Sequence, residues 1–90
     1  MAYSKEQLVE ALKAAVGGSA YGDSLIEKAE ATYGESGKYA QDMKDRLDET
    51  IGVLKAYERI HKGAGAEAKA TAEADKIAIA EKALKAVEAL

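Results

Sequence analysis

The stretch GKYAQDMKDRLDETIGVLKAYERIHKGAG, residues 37–65, decides how this 90-residue chain folds. Set out at about 100° per residue, Ala40, Met43, Leu47, Ile51, Leu54, Tyr57 and His61 fall within one sector of roughly 100–120°. Val53 and Ile60 widen the sector, and Lys44, Asp45, Asp48, Lys55, Arg59 and Lys62 take the opposite side. That period belongs to an amphipathic helix rather than a strand. The spacing predicts a helix over 37–62, begun after Ser36-Gly37 and stopped by Gly63. Gly52 falls on its polar side, where glycine costs roughly 1 kcal/mol against alanine.

The chain beyond this stretch is rich in alanine, with 11 in the 27 residues from Ala64 onward. The alanines of 64–74 alternate with other residues, a period that by itself suits a strand. Alanine is nevertheless the best helix former and is depleted in strands, so a helix is predicted over 66–90. Ile77, Ala80, Leu84 and Val87 form one apolar row, and Ile79, Ala83, Ala86 and Leu90 form a second beside it. Glu81, Lys82, Lys85 and Glu88 cover the rest. Two helices of such length span about 38 Å each at 1.5 Å per residue. With only Gly63-Ala64-Gly65 between them, they are expected to fold back as an antiparallel hairpin.

Working upstream, Ser4 with Gln7 three residues later has the pattern of a capping box. Leu8, Ala11, Leu12, Ala15 and Val16 then recur on one face, and Gly17-Gly18 end a helix predicted over 5–16. A short helix is predicted over 24–33, with Asp23 or Ser24 as its N-cap and Gly34 as its stop. Leu25, Ile26, Ala29 and Tyr33 share its apolar face. The strings Ala20-Tyr21-Gly22-Asp23-Ser24 and Thr32-Tyr33-Gly34-Glu35-Ser36 echo each other, and both read as turn and cap punctuation. The expected fold is therefore one all-α domain over 1–90. It is a small helical bundle built on a long helix 3/helix 4 hairpin, with two short N-terminal helices lying along it as a broken third layer.

Composition limits what such a fold does. The apolar residues are 20 Ala, 18 Val, Ile, Leu or Met, and 5 Tyr, with no Phe, Trp, Pro or Cys. The large aliphatic side chains make a thin core in a chain short enough to bury only about 60–65% of its unfolded surface. Contacts with a partner are expected to supply part of the stability. The lack of cysteine excludes disulfides, thiolate metal sites and thiol redox chemistry. Net charge is −3 with both signs interleaved, which lacks the basic excess that a phosphate backbone requires, so no nucleic-acid partner is expected. The longest uncharged run, Ala14 to Gly22, falls far short of the ~20 apolar residues of a membrane span. With no targeting pattern at the N-terminus, the expected location is the cytoplasm of a cell or of an infected host cell.

Two sites of possible chemistry stand out. Glu58 and His61 have Glu-x-x-His spacing, which lets both side chains of one helix reach a single ion, and di-iron carboxylate proteins use this pattern in pairs. A helical oligomer binding metal through Glu58 and His61 is thus one alternative, with Glu67 or Glu73 reaching across near the hairpin turn. The competing role of His61, on the apolar stripe near a helix C-terminus, is structural. The string Gly22-Asp23-Ser24-Leu25 resembles the Asp-Ser-Leu site of acyl and peptidyl carrier proteins. That resemblance implies a serine opening a helix and carrying a phosphopantetheine arm, here Ser24. It spans four residues, and the following Ile26-Glu27-Lys28-Ala29-Glu30-Ala31 lacks the apolar run of that family.

A single histidine leaves no nucleophile–base pair, and the acidic residues of 42–49 are interleaved with Lys44 and Arg46 as on a solvated face. The expectation is a non-catalytic module with no cofactor, acting through contact with a protein partner or by self-association. A homo-oligomer or a subunit of a larger assembly fits, such as a viral or phage accessory component. Tyr39 and Tyr57 are expected in the core with their hydroxyls at its rim. The expected contact surface combines Tyr3 and Tyr21, which lie outside the predicted helices, with Ile79, Ala83, Ala86 and Leu90 of the last helix.

Overall fold

The first helix begins where its cap is written. In the computed structural model, which describes residues 4–32 and 39–90 and the side chains of 4–31 and 42–90, α1 spans Lys5–Val16. Ser4 Oγ accepts from the Gln7 backbone N–H (3.1 Å), and the Ser4 N–H donates to Gln7 Oε1 (2.8 Å). This reciprocal pair satisfies two of the donors that a helix start leaves open. The chain leaves α1 through Gly17, whose N–H bonds the Lys13 carbonyl (3.0 Å), and through Gly18 at φ +99°.

The second helix starts earlier than its predicted onset at residue 24: α2 is Ala20–Thr32. Ser19 does the capping, its Oγ accepting from the Gly22 N–H (3.0 Å) and donating to the Val16 carbonyl (3.4 Å). Asp23 Oδ1 instead reaches back to the Gly18 N–H (3.1 Å), bracing the turn. Tyr21-Gly22 is therefore the first turn of a helix and not the break before one. Gly22 is required there for contact: a Cβ on it would run into the Val16 carbonyl oxygen. The second Tyr-Gly string, with Tyr33 and Gly34, lies outside the described residues.

Helices α3, Tyr39–Gly63, and α4, Glu67–Glu88, agree with the predicted pair, apart from residues 37 and 38, which lie outside the described residues. The stop between them sits two residues later than expected. The Ala66 N–H bonds the His61 carbonyl (2.8 Å) and the Gly65 N–H bonds the Lys62 carbonyl (3.2 Å), a Schellman closure. Gly65 holds the left-handed position at φ +77°, which costs glycine nothing and other residues about 1 kcal/mol or more. Gly63 is simply the last helical residue.

The described residues are helical with no strand, and α3 and α4 pack against each other as an antiparallel hairpin. Helices α1 and α2 pack on each other and on α4. The common core joins Leu8, Val9, Leu12 and Val16 of α1, Leu25, Ile26 and Ala29 of α2, Met43 and Leu47 of α3, and Ala83 and Val87 of α4. All of these hairpin residues come from the end away from the turn. Nearer the turn, Ile51, Ala70, Ile77 and Ala80 are buried without joining that core, along the seam between the two long helices. The molecule measures 44 × 23 × 21 Å, with the hairpin projecting as its long axis.

Candidate interaction surface

The apolar sector of α3 is wider than the side that α4 covers. Met43, Leu47 and Ile51 are buried and Leu54 is half-buried, whereas Val53 (53%), Tyr57 (52%) and Ile60 (62%) are exposed. The expectation that Tyr57 belongs to the core is thus corrected. At about 100° per residue Tyr57 stands on the flank of the α3–α4 seam, and Val53 and Ile60 stand farther round. Tyr39 has its side chain outside the described residues. Val53, Tyr57 and Ile60 are spaced i, i+4, i+7, so they form one continuous stripe on the half of α3 nearest the turn. Ala56, Gly52 and Gly63 run beside it, and both glycines have open space where a Cβ would stand.

His61 closes the hairpin above this stripe. Its Nδ1–H donates to Glu73 Oε1 of α4 at 2.7 Å, with the two side chains 25% and 15% exposed. Because the carboxylate accepts, the proton is placed on Nδ1. The Tyr57 ring stacks on the imidazole, with centroids 6.1 Å apart and planes 17° from parallel. Glu58 does not join the pair. It lines a groove on the other flank with Lys55, Arg59, Lys62, Ala74 and Ile77. No group of three or more potential metal ligands comes together among the described residues. The i,i+3 spacing of Glu58 and His61 held on the helix, but the neighbouring helix drew His61 to one side of the seam and left Glu58 on the other.

Ser24 is the fifth residue of α2 rather than its cap, and its hydroxyl donates to the Tyr21 carbonyl at 2.6 Å. A hydroxyl engaged inside a helical turn differs from the helix-opening serine that the carrier resemblance implies. Tyr21 is half-buried against the common core, and Lys76 Nζ stands 5.6 Å from its ring centroid. Burial pushes the Tyr21 phenol above its usual value of 10.0.

The other expected surface residues divide in three. Tyr3 lies outside the described residues. Ala83 is fully enclosed, Ile79 is half-buried against the core that α1 and α2 share with α4, and Ala86 is half-buried. Leu90 is 38% exposed at the chain end. The apolar face of α4 is wider than one neighbour needs, which left either the N-terminal helices or another chain to cover it; the N-terminal helices pack there, and the open stripe is on α3. The signal that pointed there was the pair Val53 and Ile60, which widen the apolar sector of α3 beyond the side that one neighbouring helix covers. Among the described residues no helix is long and apolar enough to cross a membrane. Compared with protein-family models, with curated proteins and with solved structures, the chain matches none.

Proposed function

We propose that this chain is a non-catalytic helical interaction module, working through protein–protein contact as a homo-oligomer or as a subunit of a larger assembly. The observation that carries the reading is the α3 stripe, which holds three of the four exposed large hydrophobic residues of the described chain. Scattered single apolar residues are ordinary on a surface, but a contiguous row is the mark of a contact site.

The test is the double variant Val53→Glu/Ile60→Glu, compared with the unaltered chain by sizing and by affinity capture from the native host. Both positions are exposed, so helicity by circular dichroism should be unchanged. The unaltered chain is expected in an assembly that the variant fails to join. A monomer with no partner sensitive to these substitutions overturns the reading.

A further inference from the structure

We infer that the groove between α3 and α4, on the flank away from α1 and α2, takes an acidic amphipathic helix of a partner protein, laid along the hairpin as a third helix. This rests on the interaction reading above and gives the module a second surface with a stated partner chemistry.

The first support is charge. Lys55, Arg59 and Lys62 stand at i, i+4 and i+7 on α3 and form one edge of the groove. All three are exposed, and none has an ion-pair partner among the described residues. Like charges four residues apart, as at Lys55 and Arg59, disfavour a helix taken alone. The groove sets these three cations against the single carboxylate of Glu58, in a chain whose net charge is −3. From α4 the lining receives only Ala74 and Ile77, so the facing helix brings no carboxylate of its own. An incoming helix with carboxylates at the same spacing pairs with the whole edge through charge-assisted hydrogen bonds.

The second support is shape. The floor is apolar and recessed, with Ile77 buried and Ala74 half-buried beneath the exposed cations. The groove has a volume of about 460 Å³. An apolar floor beside a charged edge matches a helix whose apolar stripe is bordered by carboxylates. A flat lipid surface meets the cations but does not reach Ile77, and a phosphate backbone has no apolar face to set on the floor.

The third support is vacancy. Ile79, Ala83 and Val87 of α4 belong to the core shared with α1 and α2. At about 100° per residue they lie roughly 140–180° round the helix from Ala74. The N-terminal helices therefore occupy the opposite flank, and no described helix covers the groove.

The experiment is calorimetric titration of the full chain with a synthetic helical peptide that carries glutamate at i, i+4 and i+7 beside a leucine stripe. The same peptide with lysine for glutamate, and phosphatidylserine vesicles, are titrated in parallel. The glutamate peptide is expected to bind one to one with a Kd of about 10 μM or tighter, and the other two not to bind. Lys55→Glu/Arg59→Glu and Ala74→Glu should each weaken the peptide tenfold or more at unchanged helicity. Lys28→Glu/Lys82→Glu makes the same change in net charge at exposed positions outside the groove and should leave binding intact. Equal weakening by that control is attraction by net charge alone and overturns the proposal. So does a glutamate peptide that fails to bind, one that survives the groove substitutions, or binding to the vesicles in its place. The α3 stripe is read separately: an assembly still lost on Val53→Glu/Ile60→Glu leaves the broader interaction reading standing when this proposal falls.

Discussion

Gly22 and Ser19 set the junction of α1 and α2 between them, and they show how much a single position decides. The Ser19 hydroxyl caps α2 and also reaches the last carbonyl of α1, which brings the two backbones so close that residue 22 has no room for a side chain. Gly22→Ala gains helix propensity but meets backbone that cannot yield cheaply. The expected outcome is a net loss of roughly 1–3 kcal/mol, read as a lower urea midpoint at unchanged slope. Tyr21 beside it gives a pH effect. Its folded pKa is raised, so the folded state holds the phenolic proton more firmly than the unfolded chain. That contribution is complete below the unfolded value near 10.0 and is lost as pH rises through and beyond it. Thermal unfolding between pH 9 and 11 should show a smaller alkaline loss for Tyr21→Phe than for the unaltered chain. At this scale the sequence was legible where a pattern is local, as in the Ser4–Gln7 box. It was illegible where the reason lies across a turn, because no spacing announces that Gly22 sits against Val16.

Among the elements, α3 carries two faces with different duties. Its inner face follows the seam with α4, and its flank holds Val53, Tyr57 and Ile60 in solvent. Both faces contribute to one hydrophobic sector, so periodicity alone located the end of the helix within one residue but placed Tyr57 in the core. A sector of roughly 120° is broader than a single packed helix needs, and which edge is left over depends on where the next element lies. The N-terminal helices settled that by covering α4. In the single chain Gly52 has nothing to contact, so Gly52→Ala is expected to stabilise it by about 0.5–1 kcal/mol. Measured at the lowest workable concentration, this should raise the melting temperature by roughly 4–8 °C per kcal/mol for a domain of this size. Ala80 is the opposite case, fully enclosed in the seam. Ala80→Leu should cost roughly 1–3 kcal/mol by forcing the two helices apart.

For the whole molecule, the consequence is a gradient of stability along the hairpin. At the end away from the turn, α3 and α4 share a core with α1 and α2. At the turn end they have only each other, along a seam of Ile51, Ala70, Ile77 and Ala80. The elongation fits this division: the radius of gyration is 13.8 Å, against about 12 Å for a compact chain of 90 residues. Local opening follows buried apolar contact, so the turn-proximal amides should exchange with solvent faster than those around Leu12, Leu47 and Val87. The His61–Glu73 bond is the one polar tie between the helices in that region among the described residues, reinforced by the stacked Tyr57 ring. His61→Ala leaves the common core intact but removes this tie and half of the stack. Hydrogen exchange should then accelerate for amides of residues 54–76 with little change near the termini, and global unfolding should shift by no more than about 1 kcal/mol. Equal acceleration throughout would mean that the hairpin tip and the four-helix end open together, which a molecule divided in this way should not do.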